Sequence, residues 1–106
     1  MKAAAPEGPD DLRRIPGVGP STAADLRLLG VTRVEDLRSR DPQALYEELE
    51  RLQGGHVDRC VLYVFREAVY FATAAAPEAE LTKWWNWKDG GTAERRGLVR
   101  QPRGAA

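Results

Sequence analysis

Leu12-Arg13-Arg14-Ile15-Pro16-Gly17-Val18-Gly19-Pro20-Ser21-Thr22-Ala23-Ala24-Asp25-Leu26 is the stretch whose reading decides the fold. Two short amphipathic helical patterns flank an apolar-Pro-Gly-apolar-Gly turn. Pro16 ends the first pattern, because its ring disfavours α geometry at Ile15 and it has no N–H to donate. Gly17 and Gly19 can take positive φ and leave the backbone uncovered, so a ligand can approach the peptide plane. Val18 is the one side chain in the turn able to anchor it to a core. Ser21 reads as the N-cap of the next helix. Such a turn sets unpaired amides beside a positive helix end, which suits an oxygen-rich anion.

The spacing resembles the helix-hairpin-helix motif, whose turn amides hold a nucleic-acid backbone phosphate without reading sequence. Leu12, Ile15, Leu26 and Leu29 stand where that motif packs its helices together. The resemblance makes Gly17, Val18, Gly19, Ser21 and Thr22 the candidate phosphate contacts, with Arg13 and Arg14 assisting. One departure lowers the expected affinity. DNA-binding hairpins often carry Lys or Arg right after the hairpin proline, and here Ser21 stands there. A hydroxyl can donate to phosphate but releases no counterion. The other reading of the stretch is a tight αα-hairpin that only packs or docks a protein.

Outward from the hairpin, Gly30 is the expected stop of the second helix. Thr32-Arg33-Val34-Glu35 matches a capping box for a short third helix that buries Val34 and Leu37. Asp41-Pro42 starts a fourth, which buries Leu45, Leu49 and Leu52 and halts at Gly54-Gly55. A long final helix is expected from about Val57 to Ala75, apolar around most of its circumference and therefore central. Cys60 falls on its apolar face and reads as a small core residue. Arg59, Tyr63, Arg66 and Tyr70 form a mixed stripe, either a binding surface or an outer edge covered by later chain. The turn at Gly54, Gly55 and His56 sits where a second hairpin would sit. It lacks the proline and valine of the first, so it is a degenerate copy offering at most a secondary contact. This order predicts an all-α, five-helix tandem helix-hairpin-helix (SAM-like) domain over residues 9–76.

Residues 1–8 read as a disordered leader, and residues 90–106 as a disordered basic tail. Between them, residues 77–89 carry Trp84, Trp85 and Trp87, a large apolar load near a chain end. They are expected to pack back on the long helix, at least two of the three mostly buried near Phe65, Val69 or Tyr70. Base stacking is the competing use of these rings.

Composition bounds the partners. The 106 residues hold 16 basic and 16 acidic groups, with a local balance of +3 in residues 91–106 and −3 in the rest. A mildly acidic body argues against strong non-specific DNA binding. The single cysteine excludes an internal disulfide and fits a reducing, cytoplasmic setting. The start lacks the apolar core of a signal peptide, and charges interrupt the longest apolar run, so no membrane is expected. His56 has no cysteine partner at metal spacing, and Glu47-Glu48-x-Glu50 reads as a solvated helix face. No catalytic, metal or cofactor constellation appears, and no enzyme activity is expected.

With both ends read, residues 9–89 resemble the pathogenicity-locus helix-hairpin-helix proteins, a small bacterial family. The resemblance rests on Asp11-Leu12-x-x-Ile15-Pro16-Gly17-Val18-Gly19 and on Val64-Phe65-Arg66-x-Ala68-Val69-Tyr70-Phe71. Lys83-Trp84-Trp85-Asn86-Trp87-Lys88-Asp89 completes it and is its most distinctive block. Some members carry a mitomycin-resistance label. The resemblance implies the fold, DNA as partner through weak, non-specific backbone contact, and a link to DNA repair or damage resistance. The alternative is a protein-protein interaction module.

Overall fold

The computed structural model describes residues 11–99, which form four α-helices and four 3₁₀ turns with no strand among them. The chain is therefore all-α, but its expected first and third helices are single 3₁₀ turns. Asp11–Arg14 is one such turn, closed by Ile15 N–H on the Leu12 carbonyl at 3.2 Å. Pro16 follows too soon for longer helix to form. The expected leader, residues 1–8, lies outside the described residues.

Helix α1 spans Pro20–Leu28, two residues earlier than the Ser21 cap would allow. Gly19 is the N-cap in extended geometry, and Pro20 occupies the first helical position, where a missing N–H costs nothing. The next 3₁₀ turn, Val34–Leu37, buries both of its apolar ends. Asp36, not Glu35, closes its start, accepting from Thr32 N–H and Arg33 N–H at 3.1 Å each. A carboxylate one position further along reaches both amides of this tighter turn.

Helix α2, Pro42–Gln53, begins where Asp41-Pro42 placed it. Asp41 Oδ1 accepts Gln43 N–H at 3.0 Å, and Gly54 closes the helix in left-handed geometry at φ +74°. Leu45 and Leu49 are buried, but Leu52 is exposed and Tyr46 takes the third core position. Tyr46 also donates its hydroxyl to the Val57 carbonyl, tying α2 to the chain entering the next helix.

That helix, α3, spans Arg59–Thr73, shorter than expected at both ends. Asp58 caps it through Cys60 N–H at 2.8 Å. Cys60 thus sits in the exposed first turn and not in the core. Leu62, Phe65 and Ala68 fill the centre of the main core with Leu12, Ile15, Leu26, Leu37 and Leu49. Fully burying each such leucine or phenylalanine contributes about 1.5–3 kcal/mol.

The C-terminal part crosses the outer stripe of α3 through 3₁₀ turns at Ala79–Thr82 and Trp84–Trp87, then α4 at Thr92–Arg95. Leu81, Trp87 and Ala93 form a second small core, with Tyr63, Tyr70 and Val99 packed against it. Trp87 is 3% exposed, its ring 5.3 Å from that of Tyr70 and its Nε1–H bonded to the Leu81 carbonyl at 2.8 Å. Trp84 is partly buried against the main core, and Trp85 is half exposed.

Composition misleads within residues 90–99. Gly91 and Ala93 are buried there, and a methyl group on Gly91 would lie 2.9 Å from the Lys88 carbonyl oxygen. Gly91 lets this segment close on the Asn86 and Lys88 carbonyls and Ala93 packs with Trp87, where low hydrophobicity alone suggested a tail. Residues 100–106 of that expected tail lie outside the described residues. No helix among those described is long and apolar enough to cross a membrane.

Candidate nucleic-acid interface

The hairpin turn is held from below and open above. Leu12, Ile15 and Val18 are buried, so three apolar pegs fix the loop to the core. Val18 N–H bonds to the Ile15 carbonyl at 3.1 Å, so this residue anchors the turn and its amide is occupied. Gly17, at φ +82°, turns the chain outward. Gly17, Ser21 and the helix start lie at the surface, and the amides of Gly17, Gly19, Ser21 and Thr22 have no acceptor among the described residues. At the first turn of α1 such amides have no partner inside the helix.

The flanking charges are arranged unevenly. Arg13 and Arg14 are exposed before the turn, and Arg14 Nη1 bonds Asp11 Oδ1 at 2.9 Å. The other oxygen of Asp11 accepts Val34 N–H at 2.8 Å, across 23 residues of sequence. That backbone bond, with Arg14 second, holds the Asp11 carboxyl below its usual range. Asp11 thereby locks the entry of the hairpin to the following turn.

Sequence reasoning missed Glu67, which is 0% exposed beneath the hairpin. A methyl group on Gly17 would lie 3.5 Å from Glu67 Oε1 and 3.3 Å from Trp84 Cδ1. Neither carboxyl oxygen has a hydrogen-bond partner among the described residues. Burial pushes the Glu67 pKa up to about 9, so the group is neutral at pH 7. The signal was present in the sequence: Glu67 lies three residues after Val64 and four before Phe71, in register with the apolar face.

The second glycine turn is built differently. Gly54 N–H bonds the Arg51 carbonyl at 3.3 Å and Gly55 N–H bonds that of Glu50 at 3.1 Å. Both amides are occupied by the helix stop itself. His56 is exposed, its Nδ1 3.3 Å from Glu50 Oε2, and the same carboxylate accepts Val57 N–H. Gly54, Gly55 and His56 therefore form a turn with its glycine donors already satisfied.

The Arg59, Tyr63, Arg66 and Tyr70 stripe is covered by later chain. Asp89 accepts from Arg59 at 2.8 and 3.2 Å, from Arg66 at 3.1 Å and from the Tyr63 hydroxyl at 3.2 Å. Arg66 also donates to the Trp87 carbonyl at 2.9 Å, and Tyr70 Oη accepts Glu78 N–H. Hydrogen bonds from Arg59, followed by those from Arg66, pull the Asp89 carboxyl down to about 2.

These features define a small all-helical protein with an exposed proline-glycine hairpin braced by a tryptophan-rich segment. The chain belongs to the pathogenicity-locus family, Cdd1, whose sequence profile matches residues 6–93. It is also 33% identical over 89 residues to the mitomycin resistance protein McrB of Streptomyces lavendulae, covering 84% of this chain and 77% of that one. No solved structure matches it.

Proposed function

We propose that this protein contacts nucleic-acid backbone phosphate through its hairpin turn and the first turn of α1, without reading sequence. The observation that carries the proposal is the set of unpartnered amides at Gly17, Gly19, Ser21 and Thr22, with Gly17 and Ser21 exposed and Gly19 and Thr22 half-buried. Arg13 and Arg14 supply nearby positive charge, and the neutral Glu67 beneath the turn adds no repulsion at pH 7. The architecture is read as a tandem helix-hairpin-helix domain. Its second unit, α2, the Gly54 turn and α3, serves packing alone. The protein acts as a cytoplasmic, non-enzymatic module, and the mitomycin-resistance name of its Streptomyces relative supports a role in resistance to DNA damage.

Anisotropy titrations of labelled single-stranded, duplex and junction DNA at two salt concentrations test this. With one or two phosphates neutralised, log affinity falls against log salt with a slope of about 0.9 per duplex phosphate. Ser21→Asp keeps a favourable acid in the first helical turn while repelling phosphate, so the fold holds and affinity drops about tenfold. Unchanged affinity in the folded variant would falsify the phosphate assignment. A protein-docking module is the second reading, favoured by the exposure of Leu28 and Trp85. Absence of DNA binding at low salt selects it.

A further inference from the structure

A cavity of about 300 Å³ lies away from the hairpin, between the start of α2, the end of α3 and the C-terminal segment. Its apolar wall is made by Val69, Tyr70, Trp87, Leu98 and Val99, facing Pro42. Arg66 also lines it, and that side chain is nine-tenths buried. Only Nη1 of its guanidinium has hydrogen-bond partners, the Trp87 carbonyl and Asp89; Nε and Nη2 have none among the described residues. The charge around it does not balance. Asp89 is one carboxylate shared by two guanidinium groups, Arg59 and Arg66. Arg40 lies exposed at the cavity's edge, opposed by the Asp41 carboxylate that caps α2, so three guanidinium groups face two carboxylates around this end of the molecule.

The wall is also fixed. Ser39 is the one non-glycine residue described with positive φ, at +60°, and its N–H is held by Thr73 Oγ1 at 3.1 Å. Strained backbone persists where surrounding structure over-determines it, and such places cluster at ligand sites. The unused donors of Arg66 are not sealed from the surface, and beside an aromatic-lined cavity they offer an anionic acceptor charge-assisted hydrogen bonds. The volume is at the small end of ligand pockets, with room for one or two rings.

We propose that this cavity binds a small planar carboxylate, its ring against Tyr70 and its carboxylate on the free edge of Arg66. The site is separate from the hairpin, and its test uses no nucleic acid. The full chain, labelled with ¹⁵N, is titrated with benzoate and 1-naphthoate, and with 1-naphthamide as the uncharged match. Naphthoate is expected to shift the resonances of Arg66, Val69, Tyr70 and Leu98, and to bind at least about tenfold more tightly than the amide, a 1.4 kcal/mol preference. Arg66→Met removes that preference. Leu98→Trp enlarges a half-exposed lining side chain while leaving Arg66 in place and is expected to block both ligands, which keeps the test decisive if Arg66→Met does not fold. Equal binding of acid and amide, binding that survives Leu98→Trp, or no shift with either acid overturns the proposal.

Discussion

Arg66 and Glu67 are neighbours on α3, both buried, and they face opposite halves of the molecule in opposite chemical states. Arg66 meets the C-terminal segment, which supplies it with a backbone carbonyl and a shared carboxylate. Glu67 meets the hairpin, which supplies no hydrogen bond to either oxygen. One half of the protein accommodates a buried charge by pairing it, the other by keeping it protonated. Pairing retains charge at a general energetic cost in burial, whereas protonation removes the charge and makes stability depend on pH. The hairpin side thus keeps its open amides free of a competing negative charge at pH 7.

Breaking the Arg66 side at its centre has the largest expected effect. Trp87→Ala removes the ring that packs on Tyr70 and leaves a cavity beside Arg66. Loss of about 3–5 kcal/mol in urea unfolding is expected. A loss under 1 kcal/mol would mean that the second core contributes little and that the hairpin half folds alone.

The Glu67 side is tested through pH. Its folded pKa of about 9 lies above the unfolded value of 4.5, so the folded state binds the extra proton. Its stability contribution is fully present below pH 4.5 and is lost as pH rises to 9, by at most roughly 1.4 kcal/mol per pH unit. Asp89 has the opposite sign, a folded pKa of about 2 against 3.8, but its contribution is lost only on acidification below that window. Urea melts at pH 5 and pH 8 should therefore show a fall that Glu67→Gln, neutral throughout, abolishes. Parallel pH profiles for the two proteins would place Glu67 in contact with water or a partner group.

Asp89→Asn sharpens the contrast with a smaller effect. It leaves two guanidinium groups without their carboxylate, but Asp89 is itself half exposed, which screens the loss. A cost of about 1–2 kcal/mol in thermal unfolding is expected, against 3–5 for a fully buried pair. The smallest stability effect belongs to Ser21→Asp, within about 0.5 kcal/mol by the same assay, because its side chain is exposed. Its expected effect is on the proposed phosphate contact alone.

Local chemistry was legible in the sequence, and it decided the punctuation of the fold. Pro16, Pro20, Asp41-Pro42 and Gly54 act on their own turns, through missing donors, fixed φ and side-chain caps within a few residues. The four unpartnered amides of the hairpin follow from that same local geometry. Long-range pairing was not legible in this way. Cys60 and Leu52 fit an apolar face by spacing, yet the observed helix boundaries and packing leave both exposed. Asp89 meets Arg59 and Arg66 across 30 and 23 residues, and Glu67 loses its charge because it is buried beneath Gly17 of the distant hairpin. The order of residues 91–99 depends on Gly91 fitting against the Asn86 and Lys88 carbonyls and on Ala93 packing beside Trp87, a match of shapes that composition does not record. Short-range constraints are set by the chemistry of adjacent residues. Desolvation and pairing depend on which distant groups arrive, and only the packed chain determines that.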